Sequence, residues 1–216
     1  MEFKIVNTYS DDYDLLVVPC FSDEINEKYK EVLLKLKESK IFVGKKCTSY
    51  FLSTFENKLS NILFLGLGNK KDYELFYKCI VSGFNGIKLC NYKNILINLF
   101  ENEQLTFNHM VKAIVLSLSG VNYSFKKYFT NNKNKDEKIS VSLFSEKEIS
   151  EKILTESLNI RDAINLCRDL VNEPANVLTP EEFSNRCKDA VKDLNVEIEV
   201  YDEVWIKNNS LHSLYE

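Results

Sequence analysis

The sequence predicts an α/β fold of three layers, in which helices cover both faces of a mostly parallel central sheet. Nearly continuous apolar runs occur at residues 15–18, 62–65 and 95–99, a pattern typical of strands that are buried on both faces. Each run is followed by a segment with apolar residues at helical spacing. Because strands and helices alternate in this way, we expect parallel strands joined by crossover helices.

The predicted strands are either continuously apolar or alternate between apolar and polar positions. They cover residues 3–7, 14–20, 62–65, 95–99, 139–143 and 196–201, with a hairpin or a pair of short strands in residues 41–55 around Gly44.

The predicted helices are placed by apolar periodicity and by capping residues. They begin near Ile25, after Asp72, at Asn108, at residue 148 and at Pro180. Gly83 and Gly86 fall inside the second helix, where glycine costs helix stability, so we expect this helix to pack closely on the sheet. Residues 131–138 are polar and charged, and a solvated loop is expected there.

The composition is that of an ordinary soluble protein, with 44% hydrophobic residues, 28% charged residues and a net charge of −4. This balance argues against a protein built mainly to bind nucleic acid or acidic membranes. No segment approaches the roughly 20 apolar residues of a membrane span, and the start lacks a targeting segment, so a cytoplasmic location is expected. The six cysteines form no Cys-x-x-Cys pair, and we expect buried, reduced thiols.

Residues 168–182 describe a helix end, a turn and a new helix start. Pro174 removes a backbone donor and disfavours helical geometry at the preceding residue, so the first helix must end there. Thr179 is expected to cap the next helix, with Pro180 at its first position and Glu182 completing a capping box.

This stretch resembles the segment that joins the two domains of the leucyl aminopeptidases. The run Asn-Glu-Pro-Ala-Asn at 172–176 is preceded by Arg-Asp-Leu at 168–170 and followed by Leu-Thr-Pro at 178–180. The residues that form this signature are Arg168, Asp169, Asn172, Glu173, Pro174, Asn176, Thr179 and Pro180.

The resemblance implies a division of the chain into three parts. Residues 1–147 would be the amino-terminal domain, which is similar to the macro domains that bind ADP-ribose. Residues 148–179 would be the interdomain helix and turn, and residues 180–216 the truncated start of the catalytic domain. Weaker matches are the apolar run at 15–18, Leu-Gly-Leu-Gly at 65–68, and the glycine and aromatic residues at 120–128.

Enzymes of this family release amino-terminal residues, preferably leucine, from peptides, and they use two divalent ions, zinc or manganese. The resemblance implies a homohexameric parent enzyme whose metal ligands lie in the catalytic domain. Glycine is absent after Gly120, so the glycine-rich metal-binding segments of that domain are not found here. We therefore assign no catalytic or metal-binding residue. We expect the chain to be inactive alone, to serve assembly of the hexamer and to have the missing catalytic domain as its partner.

An alternative function is a stand-alone macro-like module that binds ADP-ribose or another nucleotide. Gly66 and Gly68 precede a helix start and are a phosphate-loop candidate, although a tight turn explains the same pattern.

Other polar groups have alternative interpretations. Asp169 and Glu173 are spaced to form a carboxylate pair for a metal, but we favour an ion-pair network with Arg168 and Arg161. His109 is expected in a capping or surface role, and His212 matches no nucleophile pattern.

A group of lysines near Tyr128 and Phe129 suggests a nucleic-acid patch, and we favour a solvated surface. These lysines are Lys126, Lys127, Lys133, Lys135 and Lys138.

The polar stripe of the junction helix is expected to be a docking surface for a partner domain. This hypothesis predicts that Arg168, Asp169 and Asn172 face solvent or a neighbouring chain.

Overall fold

The computed structural model describes residues 1–9, 12–55, 59–69, 72–85, 87, 91–100, 105–130 and 138–211. The chain divides into two compact units, Met1–Asn165 and Leu166–Glu216. No helix of the described residues is long and apolar enough to cross a lipid bilayer.

The first unit contains a sheet of six strands with the order β1-β6-β5-β2-β4-β3. All neighbouring strands are parallel except β3, which pairs antiparallel with β4. The predicted α/β fold with a mostly parallel sheet is therefore confirmed. The strands are β1 (Glu2–Val6), β2 (Leu15–Phe21), β3 (Thr48–Phe55), β4 (Leu59–Gly68), β5 (Asn94–Asn98) and β6 (Ser140–Phe144).

Helices follow the strands in the predicted order, although the first α-helix begins at Lys30, later than the predicted start near Ile25. A 3-10 turn, Glu27–Tyr29, precedes the first α-helix. The α-helices are α1 (Lys30–Glu38), α2 (Tyr73–Asn85), α3 (Phe107–Asn122), α4 (Glu151–Asn172), α5 (Pro180–Val191) and α6 (Glu203–Asn208). Helix α4 begins in the first unit and ends in the second.

The apolar core of the first unit lies on both faces of the sheet. Val17 of β2 packs into the cluster formed with α2 and α3, whereas its neighbours Leu16 and Val18 pack into the cluster formed with α1. Successive side chains of a strand point to opposite faces, so the continuous apolar run of β2 is explained by burial on both faces.

Helix α2 packs closely on β4, as its internal glycine predicted. A Cβ built on Gly83 would lie 2.1 Å from Cδ2 of Leu65, so the absence of a side chain allows this approach. Asp72 caps the helix, since its Oδ1 accepts a hydrogen bond from the backbone N–H of Leu75 at 2.8 Å. Gly86 lies outside the described residues.

Two predicted strand arrangements are wrong. Residues 41–55 do not form a hairpin around Gly44; Thr48–Phe55 is one strand, which finds its hydrogen-bonding neighbour in β4. Gly44 instead has a positive φ of 70° and lies in the loop before this strand. Residues 196–201 form no strand, because the described part of the second unit contains no other strand with which they could pair.

Helix α3 begins slightly earlier than predicted. Thr106 is its N-cap, and the Thr106 hydroxyl accepts a hydrogen bond from the backbone N–H of His109 at 3.4 Å. Asn108, predicted to open the helix, lies in its first turn. Thr106 has the extended backbone conformation that an N-cap requires, and Asn108 already lies inside the helix.

Candidate functional site

The junction between α4 and α5 ends the first helix with local hydrogen bonds. The Asn172 side-chain amide donates to the Arg168 carbonyl at 2.8 Å. The Pro174 carbonyl then accepts from the backbone N–H groups of Val177 and Leu178, both at 2.9 Å. The turn therefore satisfies its own backbone groups, as a proline-terminated helix requires.

Thr179 starts α5 as the sequence predicts. Its hydroxyl accepts a hydrogen bond from the backbone N–H of Glu182 at 3.3 Å, and Pro180 occupies the beginning of the helix. The Glu182 carboxylate accepts a hydrogen bond from Nε of Arg186 at 2.7 Å and does not close the capping box. Of the predicted capping box, only the hydrogen bond to the Thr179 hydroxyl is present. The Glu182 carboxylate is instead hydrogen-bonded to Arg186, one turn further along the helix.

A partly buried ion pair joins the end of α4 to α5. The Glu173 side chain is 2% exposed, and its Oε1 lies 2.8 Å from Nη1 of Arg186, which is 25% exposed. The same guanidinium contacts Glu182. The hydrogen bonds to Glu173 and then to Glu182 raise the pKa of Arg186 above its usual range. Charge-assisted hydrogen bonds of this kind fix the angle at which the chain leaves the turn.

Glu173 takes part in an ion pair with Arg186, a residue that the sequence analysis did not name. The pairing of Asp169 and Glu173 with Arg168 stays a prediction. Arg161 pairs with its neighbour Asp162, with Nη2 and Oδ1 2.8 Å apart. Arg186 was missed because it lies 13 residues from Glu173, beyond the reach of helical spacing. Among the described residues no three His, Cys, Asp or Glu side chains are grouped so that they could hold a metal ion.

The polar stripe of α4 is accessible near the junction. Asp169 and Asn172 are exposed, and Arg168 is half-buried. Pro174 and Asn176 of the same signature are also exposed.

Apolar side chains of the second unit are exposed as well. Val171 of α4 is 85% exposed and Phe183 of α5 is 47% exposed. Val204 and Trp205 of α6 are likewise exposed. The described surface of this unit therefore presents both the polar residues of the junction and several large apolar side chains.

Gly66 and Gly68 allow a loop to approach the end of β4. The Gly68 N–H donates to the Gly44 carbonyl at 2.8 Å, and the Gly66 carbonyl accepts from the Cys47 N–H at 2.9 Å. A Cβ on Gly66 would lie 2.2 Å from the Lys45 carbonyl oxygen, and Gly68 has a positive φ of 72°. The two glycines are explained by this packing.

A cavity of about 590 Å³ lies beside Gly68. Three lysines line it, together with two carboxylates, one of which pairs with a lysine: the Lys78 ammonium lies 2.6 Å from Oε1 of Glu74. The cavity thus has mixed charge. Its lining comprises Ser22, Lys45, Lys46, Gly68, Asn69, Asp72, Glu74, Leu75 and Lys78.

The remaining predicted polar groups have structural contacts or lie outside the description. The His109 ring packs edge to face on Tyr73, and the residue is exposed, in agreement with the predicted surface role. The Lys138 ammonium lies 3.4 Å from Oε1 of Glu2, and that of Lys127 lies 5.5 Å from the centre of the Tyr128 ring. Of the residues named in the sequence analysis, four more lie outside the described ranges: Cys90, Lys133, Lys135 and His212.

The cysteines do not form the uniform buried set that was expected. Cys20 and Cys79 are buried, Cys47 and Cys187 are half-buried and Cys167 is exposed. Burial raises the pKa of the Cys20 thiol from 9.0 to about 12. The periodicity of the sequence does not show which residues pack over a thiol, so the accessibility of these cysteines could not be predicted.

Comparisons with known proteins match both units. The family model described as "Cytosol aminopeptidase family, N-terminal domain" matches residues 16–132, and the model of the catalytic domain of the same family matches residues 165–216. Probable cytosol aminopeptidases of Clostridium perfringens and Clostridium tetani are 27% and 31% identical and cover 98% and 86% of the chain, respectively. The chain covers only 45% and 38% of those two relatives, so it spans less than half of their length.

Solved structures show the same fold. A mutant of tomato leucine aminopeptidase superposes with a TM-score of 0.75 at 17% identity, over 97% of this chain and 46% of that one. The bottromycin maturation enzyme BotP gives a TM-score of 0.69 at 16% identity, over 93% of this chain and 42% of that one. A complex of BotP with Mn has also been solved.

Proposed function

Because the chain belongs to the cytosol aminopeptidase family, we propose that it is the amino-terminal domain of a leucyl aminopeptidase, together with the interdomain helix and the start of the catalytic domain. One observation carries this proposal: the models of two successive domains of one enzyme family match the chain in the same order, at residues 16–132 and 165–216. The whole enzyme would release amino-terminal residues, leucine preferentially, from peptides in the cytoplasm.

The proposed division of the chain is into residues 1–147, 148–179 and 180–216. It offers an explanation for the exposed apolar surface of the second unit. Its exposed apolar side chains, with Val171 at 85% exposure, would be covered by the rest of the catalytic domain. A unit that exposes several large apolar side chains is expected to pack against a partner. The ion pair between Glu173 and Arg186 would hold α5 at the angle which that packing needs.

The chemistry of the enzyme would lie in the part that the relatives have in addition. The family is one of metallopeptidases, and the two ions, zinc or manganese, require clustered carboxylates. The described part of this chain does not fit such a centre, since it offers no group of three metal-ligating side chains. The proposal therefore assigns to these residues assembly and support of the catalytic half, within a homohexamer, and no catalytic role.

The test is hydrolysis of leucine p-nitroanilide by the purified chain with added manganese. We expect no turnover above the rate in buffer, while tomato leucine aminopeptidase, measured in parallel, serves as the positive control. Robust turnover that survives repeated purification would refute the assignment of the chemistry to the other half. Isothermal calorimetry with manganese and with zinc should show no uptake, and uptake lost in Glu173→Gln would restore the metal interpretation of Asp169 and Glu173.

Assembly is measured separately by sedimentation velocity. A hexamer formed by the purified chain would support the proposal that this part drives the assembly. A monomer at all concentrations would transfer that role to the other half of the enzyme.

The second candidate function is binding of ADP-ribose or a related nucleotide by the first unit. The cavity of about 590 Å³ beside Gly68, with Lys45 and Lys46 in its lining, favours it. A binder should melt at higher temperature as the concentration of ADP-ribose rises. The shift should disappear in the double variant Lys45→Ala and Lys46→Ala but persist in Lys188→Ala, which changes an exposed lysine of α5. No shift with the unmodified chain would eliminate this candidate.

A further inference from the structure

Cys47 and Cys79 lie 32 residues apart in the chain, and their Sγ atoms are 3.1 Å from one another. Cys47 ends the loop before β3, and Cys79 lies in the middle of α2. We propose that these two thiols form a reversible disulfide by exchange with a low-molecular-weight disulfide such as oxidised glutathione. The inference is independent of the proposed enzymatic function, because it concerns only contacts within the first unit.

The two sulfur atoms are close enough for a disulfide bond to form. A disulfide has an S–S length of about 2.0 Å, so the two sulfurs need to close by about 1 Å. A second contact fixes their orientation, because the backbone N–H of Cys47 donates to Sγ of Cys79 at 3.2 Å. The loop is also held by the Ser82 hydroxyl, which donates to the Cys47 carbonyl at 3.3 Å, so α2 and the loop already lie at bonding distance before oxidation.

Access decides which thiol reacts first. Cys47 is half-buried and can be approached by a small disulfide, whereas Cys79 is 1% exposed. Burial is the first cause that raises the pKa of Cys79 to about 12. Since the thiolate is the nucleophile, Cys47 is the attacking residue and Cys79 the one that completes the bond.

The exchange proceeds in two balanced steps. In the first, Cys47 loses its proton and its thiolate attacks one sulfur of the small disulfide, the S–S bond of that molecule breaks, and one small thiolate leaves and takes up that proton. In the second, Cys79 loses its proton and attacks the Cys47 sulfur, the mixed disulfide breaks and the second small thiol leaves with that proton. Two protein thiols are oxidised, and one small disulfide is reduced to two thiols.

The bond would connect two walls of the cavity beside Gly68. Lys45 and Lys46 precede Cys47 directly, Lys78 precedes Cys79, and all three lysines line the cavity. Cys47 also has a positive φ of 56°, a conformation that non-glycine residues rarely adopt. Oxidation would therefore fix a strained loop and the cavity width together, and reduction would release both.

The experiment treats the purified, reduced chain with oxidised glutathione and maps its peptides by mass spectrometry under non-reducing conditions. We expect one linkage between the peptides that contain Cys47 and Cys79, with loss of two hydrogens, reversed by dithiothreitol. In Cys79→Ala, Cys47 should retain one glutathionyl group, because the second thiol is missing. In Cys47→Ser, Cys79 should stay reduced, and the control Cys167→Ser, which changes an exposed thiol of α4, should form the same linkage as the wild type.

The wild-type map decides the proposal even where a variant does not fold. It is overturned if the folded wild-type chain stays reduced at both positions, if it keeps a glutathionyl group on Cys47, or if Cys47 links to a different cysteine. A thermal melt gives a second readout: the oxidised wild type should melt at higher temperature than the reduced form, since the closed loop restricts the unfolded chain. Equal melting temperatures for a chain in which the linkage is present would refute the stabilisation expected from the cross-link.

Discussion

Replacing Gly66 by alanine is expected to lower the free energy of unfolding of the first unit by about 2–4 kcal/mol. The new Cβ would lie 2.2 Å from the Lys45 carbonyl oxygen and 2.4 Å from the Thr48 hydroxyl, where ordinary contacts begin at 3.4 Å. The carbonyl belongs to the backbone, so the loop must withdraw by about 1 Å.

Three hydrogen bonds depend on the present position of that loop. The Cys47 N–H donates to the Gly66 carbonyl at 2.9 Å, and the Thr48 N–H donates to the Lys45 carbonyl at 3.1 Å. The Thr48 hydroxyl donates to the same Lys45 carbonyl at 2.6 Å. At about 1 kcal/mol net for each bond, their weakening together with the overpacking accounts for the expected loss.

The measurement is urea unfolding followed by far-UV circular dichroism. The matched control is Gly83→Ala, where the new Cβ meets the flexible end of the Leu65 side chain at 2.1 Å. There the loss from repacking is offset by the gain of about 1 kcal/mol in helix propensity, so the net change should be small. The reasoning is refuted if Gly66→Ala lies within roughly 0.5 kcal/mol of the wild type, or if Gly83→Ala is the more damaging substitution.

Further substitutions test the junction and the buried thiol. Thr179→Ala should lower the stability of the second unit by about 1 kcal/mol, because the first turn of α5 loses its cap; fluorescence of the single tryptophan, Trp205, measures it, and an equal loss in Thr179→Ser would contradict the capping role. Arg186→Met leaves the buried Glu173 carboxylate without this partner, so amide exchange at the start of α5 should accelerate; unchanged exchange would show that the ion pair is dispensable. Because the pKa of Cys20 is raised from 9.0 to about 12 on folding, its stabilising contribution is complete below pH 9 and is lost as the pH rises towards 12. Unfolding of the wild type should therefore become easier above pH 9 by about 1.4 kcal/mol per pH unit relative to Cys20→Ala, and parallel pH profiles would disprove it.

Strands buried on both faces could be predicted from the sequence because their signal is local. The run at residues 15–18 contains only apolar residues, a composition typical of a strand covered on two sides. The segment at residues 41–55 is rich in β-branched and aromatic residues, yet its pairing was predicted wrongly. Its partner is β4, and local composition carries no information on which neighbour supplies the hydrogen bonds.

The same limit applies to the extended segment at residues 196–201. Its alternating pattern is that of a half-buried strand, but a strand exists only where another strand offers its backbone groups. In the described part of the second unit none does. The alternating pattern therefore indicates only that these residues would form a strand beside another strand.

By itself, the sequence determined the α/β class, the end of α4 before Pro174 and the capping of α5 by Thr179, because strand burial, the missing proline donor and the capping hydroxyl act over a few residues. Only the tertiary structure decided that Arg186 pairs with Glu173 at 2.8 Å and that Cys47 lies 3.1 Å from Cys79. The partners in these pairs are 13 and 32 residues apart, and no periodicity connects them. Such contacts exist because the turn and the sheet bring distant segments together, which is information that only the packed chain contains.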